Sequence, residues 1–167
     1  MTALAAAPID TARLALLPLR VEHAEEMAEV LADPALHHFT GGEPESAEAL
    51  RRRYLRWAAG SPDPAVSWCN WVVRLREADC LAGTVQATVT AGAAEIAWVV
   101  GTPWQRRGLA AEAATGLVDW LAGRGVPVAV AHIHPGHAAS AAVARAAGLR
   151  PTDRLQDGEL RWERTLS

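Results

Sequence analysis

The chain reads as an α/β protein of the α+β kind, with one central sheet, mixed but mostly antiparallel, flanked by helices. Three observations lead there. Between residues 69 and 100, apolar alternation of period two recurs in three consecutive runs separated by short turns, which is an antiparallel meander. Apolar residues at helical spacing lie on both sides of it, before residue 60 and from Leu109 to about Ala122. An apolar run at 126–133 is then followed by a short alanine-rich helix and a final hairpin. The predicted order is strand, two helices, three meandering strands, helix, strand, helix, last strands. The 167 residues suffice for a real core, and no repeat or boundary divides them, so 1–167 is expected to be one domain.

Ile9 to Leu17 supplies the first strand, stopped near Pro18. Ala24, Met27, Ala28 and Leu31 share a helical face, and Asp33-Pro34 ends that helix. His37 to Pro44 is a loop by its glycines and proline. Ser46 offers an N-cap to a second helix, on which Leu50, Tyr54, Trp57 and Ala58 share a face and the arginines at 51, 52, 53 and 56 are solvated. After the joint at Gly60–Pro64, Cys69, Trp71, Val73 and Leu75 alternate with Asn70, Arg74 and Arg76. In the next strand Leu81, Val85, Ala87 and Val89 take one face and Thr84, Gln86, Thr88 and Thr90 the other. Ala91-Gly92 turns the chain into Glu95–Val100. The helix after it buries Leu109, Ala113, Leu117 and Leu121 and closes at Gly123 and Gly125. Val126–Ile133 is a buried strand, His137–Ala147 a short helix ended by Gly148, and the last hairpin turns at Gln156-Asp157-Gly158. Trp57, Trp71, Trp98, Trp104, Trp120 and Trp162 fall where aromatic core packing is the default.

A net charge of −3, with every basic residue an arginine, argues against general attraction to nucleic acid or anionic membrane. No run approaches a membrane span, and the start lacks the basic stretch of a signal peptide, so a cytoplasmic protein is expected. Cys69 and Cys80 suggest no disulfide framework.

The most informative stretch is Gln105-Arg106-Arg107-Gly108-Leu109-Ala110, between a strand and a helix start. Glycine there lets the backbone approach a ligand closely. Unpaired amides and the helix dipole then make an anion site suited to a pyrophosphate. A P-loop needs Lys-Ser or Lys-Thr, and the chain has no lysine; a dinucleotide turn needs three glycines, and one is present. What remains resembles the acyl-CoA loop of the GCN5-related N-acetyltransferases (GNAT), whose signature is Gln/Arg-x-x-Gly-x-Gly/Ala. The element order is similar to that family from end to end. The opening Thr11-Ala12-Arg13-Leu14 through Pro18-Leu19-Arg20, the Asp33-Pro34 turn and the Ala-x-Ser step at 138–140 resemble the branch that acetylates ribosomal-protein N-termini, the RimJ/RimL-like enzymes.

The resemblance implies a sheet splayed between the fourth and fifth strands, with acetyl-CoA in the gap. Main-chain groups of Trp98, Val99 and Val100 would bind pantetheine, and one amide would polarise the thioester as an oxyanion hole does. Where relatives carry Asn-x-x-Ser, this chain has His137-Ala138-Ala139-Ser140. His137 departs from asparagine but keeps a donor for the pantetheine arm. Ser140 matches, and by resemblance it would protonate the leaving thiolate. The tyrosine that other branches use for this is Ala144 here.

Only a neutral amine attacks a thioester; lysine-type amines titrate near ~10.4 and α-amines near ~7.7–8.0, so the former need a base more. His132 and Glu95 are the two base candidates, each with an ordinary alternative as a core histidine and a surface charge. His37, His38 and Phe39, in the loop between the first helices, and Trp68 are expected on the acceptor side. The expected activity is acetyl transfer to a primary amine, on a protein N-terminus or a small molecule, by direct attack. Two rival readings stand beside it. One is a non-catalytic acyl-CoA-binding module. The other is a metal-dependent hydrolase using His132, His134 and His137, although no carboxylate-rich partner motif accompanies them and no metal is expected. Many GNAT proteins dimerise, which leaves a homodimer open.

Overall fold

The computed structural model describes residues 3–166. Eight strands form one sheet: β1 (Ile9–Asp10), β2 (Leu14–Pro18), β3 (Ser67–Leu75), β4 (Cys80–Val89), β5 (Ala94–Val100), β6 (Val128–Ile133), β7 (Arg150–Gln156) and β8 (Glu159–Thr165). Their spatial order is β1-β2-β3-β4-β5-β6-β8-β7. Four helices accompany them: α1 (Ala24–Val30), α2 (Ala47–Ala59), α3 (Leu109–Gly123) and α4 (Ala138–Ala146).

The expected first strand is a hairpin instead. Thr11 N–H bonds Leu14 O at 2.9 Å, and the Thr11 hydroxyl and Arg13 N–H both donate to the Glu112 carboxylate of α3. That tertiary anchor turns residues 11–13 aside, which no local pattern announces. The predicted N-cap is in place. Ser46 Oγ accepts from Ala49 N–H at 3.1 Å, satisfying one of the orphan amides of α2. Asp33 caps a further short turn, Pro34–His37, by accepting from Ala35 N–H. Asp157 and Gly158, both at positive φ, make the tight final hairpin turn.

Alternation along the strands sends two sets of side chains to opposite faces. On one face Leu14, Leu16, Trp71, Val85, Ile96, Ala131 and Trp162 pack against Leu109, Ala113, Leu117 and Leu121 of α3 and Ala144 of α4. On the other, Met27, Val30, Leu50 and Tyr54 of α1 and α2 pack over Val72 and Leu81. Leu81 therefore does not share a face with Val85, Ala87 and Val89. The β3–β4 register shifts between Val73 and Arg74, inserting Ala82 as an extra residue and flipping what precedes it. Ala58, expected on the buried face of α2, is exposed.

Every strand pair is antiparallel except β5–β6, which is parallel and lasts only two residue pairs, Ala94 with Ala129 and Glu95 with Val130. Beyond them the two strands separate. The sheet ends in the two-residue β1 on one side and in β7 on the other, whose pairing with β8 is interrupted between Pro151 and Leu155.

Candidate functional site

The opening between β5 and β6 gathers most of the predicted residues. Gly101 N–H bonds Ala82 O at 2.8 Å, so strict alternation turns the main-chain groups of Val99 toward β4 and those of Trp98 and Val100 toward the gap. Gln105 Nε2 already donates to Val100 O at 3.0 Å. Of the three residues expected to offer main-chain partners, Trp98 keeps both of its groups free for a strand-like ligand; Val99 is committed to the sheet. The Trp98 side chain packs onto the core.

The opening leads to the loop at 105–110. Arg106 has φ +63° and Gly108 φ +76°, two left-handed residues separated by one, a geometry that turns successive N–H groups inward as an anion nest. Gly108 is the N-cap of α3. The first helical amide with a main-chain acceptor is Glu112 N–H, on Gly108 O. Among the described residues the amides of Leu109, Ala110 and Ala111 have no partner, and they sit at the positive end of a 15-residue helix dipole.

The loop is braced from behind by a clamp that sequence reading missed. Arg13 pairs with Glu112 (Nε to Oε1, 2.7 Å) and donates from Nη1 to Arg107 O at 2.8 Å. Burial alone would raise the Glu112 carboxyl, but hydrogen bonds from Thr11 and Arg13 hold it below the ordinary range. Arg107 is held by Glu77 at 2.7 Å. The signal was present as Thr11-x-Arg13 and Glu112, but nothing local joins residues about a hundred positions apart.

The two base candidates meet. His132 lies two residues beyond the last β5–β6 pair, on the face that carries Glu95, and its Nδ1 is 2.9 Å from Glu95 Oε1. The His132 side chain is 13% exposed and that of Glu95 58%. His132 Nε2 is buried without a partner. Against an ionised Glu95, Nδ1 carries the proton and Nε2 the free lone pair.

At the far end of β6 the expected acceptor loop docks on the start of α4. Phe39 stacks on His137 (centroids 4.3 Å, planes 16° apart) and touches His38 and His134 at 4.6 and 5.0 Å. Desolvation, with the nearby His134 and His38 charges, holds the His137 imidazole below its usual pKa. Ser140 Oγ lies 3.5 Å from His137 Nε2. His37 closes the same loop by accepting Gly41 N–H on its carbonyl. Thr102 Oγ1 donates to Asp33 at 2.7 Å, tying the approach to this loop to the turn that precedes Gln105. Trp68 is half-buried on the Glu95 face of the sheet, one β4 residue away from it (Trp68–Thr88–Glu95).

The three histidines do not assemble as metal ligands. The strand ends at Ile133, so His134 leaves the face of His132, and its Nδ1 accepts Gly136 N–H at 2.9 Å. Among the described residues no group of three or more His, Cys, Asp or Glu side chains is placed to hold a metal ion. Cys69 is buried in the core, its thiol pushed up to about 11 by desolvation, which leaves it inert as a nucleophile. No helix among the described residues is long and apolar enough to cross a membrane.

Comparison with solved structures finds this architecture repeatedly. A GNAT-family acetyltransferase from Bacillus anthracis superposes with a TM-score of 0.78 at 17% identity, over 96% of this chain and 99% of that one. The RimL ribosomal-protein α-N-acetyltransferase in complex with coenzyme A gives 0.75 at 18%, over 95% and 98%. The microcin self-immunity acetyltransferase MccE, solved with acetyl-CoA and AMP, gives 0.76 at 13%, over 93% of each. No curated protein matches in sequence. The model of the acetyltransferase (GNAT) domain matches residues 13–150, from the Arg13 clamp through the splay to the first residue of β7. With the predicted fold in place, the chain belongs to the GNAT acetyltransferase family, enzymes that draw their acetyl group from acetyl-CoA.

Proposed function

We propose that this chain, acting as one domain over 1–167, transfers the acetyl group of acetyl-CoA to a primary amine by direct attack in a ternary complex. The observation that carries this is the two-pair β5–β6 contact, which opens a gap running from the free Trp98 groups to the unpartnered amides after Gly108. In this reading the pantetheine lies along Trp98 as an added strand, and the diphosphate sits on the main chain of residues 105–110. The microcin and RimL proteins, solved with acetyl-CoA and coenzyme A, lend the ligand class.

The acceptor gives up one proton to solvent and attacks as the neutral amine. The proton left on its nitrogen after attack passes, through a water because Nε2 is buried, to the His132–Glu95 pair, with Glu95 offsetting the charge that forms. The amine nitrogen bonds the acetyl carbon while Trp98 N–H supports the oxyanion. The carbon–sulfur bond then breaks, and the thiolate takes its proton from Ser140 or water. Ala144 is fully buried, so no side-chain acid stands at that place. Direct attack fits the burial of Cys69 in the hydrophobic core, where desolvation pushes its thiol up and leaves it inert.

Calorimetry with coenzyme A and acetyl-CoA tests the cofactor half, and thiol release across peptides, amino acids, polyamines and antibiotics tests the rest. Binding of both cofactor forms with release on at least one amine is expected. No uptake of either form by folded protein ends the reading. Tight uptake with no release on any amine favours a non-catalytic acyl-CoA module.

A further inference from the structure

The Thr11-Ala12-Arg13-Leu14 stretch is separated from β5 by β3 and β4, yet its contacts converge on the start of α3. One guanidinium makes two of them. Arg13 Nε pairs with Glu112 Oε1 at 2.7 Å, and Arg13 Nη1 donates to Arg107 O at 2.8 Å. The Thr11 hydroxyl and Arg13 N–H take up the second oxygen of the same carboxylate. The turn is itself anchored. Arg76 donates to the carbonyls of Thr11 and Ala12 and pairs with Asp10. Helix α3 lies hard against it, since a Cβ at Gly116 would stand 2.8 Å from Thr11 Cγ2. Arg13 therefore reaches the loop from a support that cannot drift.

We infer that Arg13 is a positioning residue for the coenzyme A diphosphate. It turns the 107–108 peptide so that the Gly108 N–H faces the anion, and it cancels the charge of Glu112 at the helix start. The inference rests on the reading above that puts the diphosphate on residues 105–110. A trans peptide points its C=O and N–H in opposite directions, and every peptide here is trans. With Arg107 O drawn to the guanidinium, the Gly108 N–H points away from Arg13. That N–H has no acceptor among the described residues, and it joins the equally unpartnered amides of Leu109, Ala110 and Ala111.

The second role follows from where Glu112 stands. It is in the first turn of α3, three residues after Leu109 and so about 4.5 Å farther along the axis. A carboxylate there favours the helix through its dipole but repels a diphosphate bound well inside one Debye length. The Glu112 side chain is only 17% exposed, so solvent screens it poorly. Arg107 is neutralised by Glu77, and Arg106 has no ion-pair partner among the described residues. Three arginines against two glutamates leave one positive charge around the loop. Without Arg13 that surplus is gone, and Glu112 faces the anion uncompensated. Lysine could supply only part of this, because a single ammonium lacks the fork that meets Glu112 and Arg107 O together.

The test is calorimetry with coenzyme A on the wild type, Arg13→Met, Arg13→Lys and the double variant Arg13→Met/Glu112→Gln, with thermal midpoints to certify folding. Arg13→Met is expected to weaken coenzyme A roughly tenfold, the worth of one charged hydrogen bond, with stoichiometry unchanged. Arg13→Lys keeps the charge and is expected to lose roughly threefold. Adding Glu112→Gln to Arg13→Met should tighten binding again by roughly threefold, the worth of one charge at a helix end. A residue that merely braced the fold predicts the opposite, because the double variant has lost one more tie between the turn and α3. A double variant no tighter than Arg13→Met therefore overturns the inference. So does unchanged coenzyme A affinity in Arg13→Met or, should that variant not fold, in Arg13→Lys. A wild-type protein that takes up no coenzyme A overturns the acetyl-transfer reading instead, and this inference with it.

Discussion

The two halves of the cleft are built from different material. In the proposed reading the cofactor half is main chain: the free edge at Trp98, the left-handed pair Arg106 and Gly108, and the amides that open α3. The acceptor half of that reading is side chain: His132 on Glu95 and Phe39 on His137. Main-chain recognition depends on conformation, which many sequences can supply. Side-chain recognition depends on identity at each position, brought together by register from distant parts of the chain.

Substitutions in each half should separate the two contributions. The largest effect is expected from His132→Ala, which should lower turnover ~10²–10⁴-fold, the usual reach of a positioned base, while leaving acetyl-CoA affinity intact. Stopped-time thiol release beside calorimetry checks it, and unaltered turnover at neutral pH would remove His132 from the chemistry. Gly108→Val works in the other half. A branched side chain at φ +76° costs at least the ~1–2 kcal/mol of a left-handed residue, so coenzyme A affinity should weaken about tenfold with turnover at saturation retained. A loss of kcat instead would mean that the loop takes part in more than binding.

Phe39→Ala removes the ring that seats the acceptor loop on α4. Aromatic pairs contribute ~0.5–1.5 kcal/mol, so a three- to tenfold rise in acceptor KM is expected. If coenzyme A affinity moves by the same factor, the loop serves both halves. The smallest effect is on pH dependence. His137 and Glu112 both sit below their ordinary pKa in the folded protein, so the unfolded chain takes up protons first and stability falls as pH drops. His137 should contribute a loss beginning below ~6.5 and Glu112 one beginning below ~4.3. Thermal midpoints against pH should show both, His137→Asn shrinking the upper step, to which His23 also contributes, and Glu112→Gln the lower, to which Asp33 also contributes.

This division also explains what could be read in advance. The fold was legible because period-two and helical spacing are local, and the loop because its glycine and its place between strand and helix are local too. Ser46 and the Asp157-Gly158 turn were legible for the same reason. The hairpin at 11–13 and the flip of Leu81 were not, since one depends on Glu112 and the other on a bulge opposite Val73. His132 and Glu95 could be nominated singly, but their contact needed the parallel pairing of β5 with β6.

Eight hydrogen-bonded strands in an open sheet would ordinarily be a template for uncontrolled stacking of one molecule on the next. Here one border is only two residues wide, and the other carries Arg150, Asp153 and Arg154 along a broken ladder. Neither border presents a long, flat, uncharged row of donors and acceptors to a neighbour. The open rim that the protein does keep lies inside the sheet, between β5 and β6, where only a ligand slim enough to enter can use it.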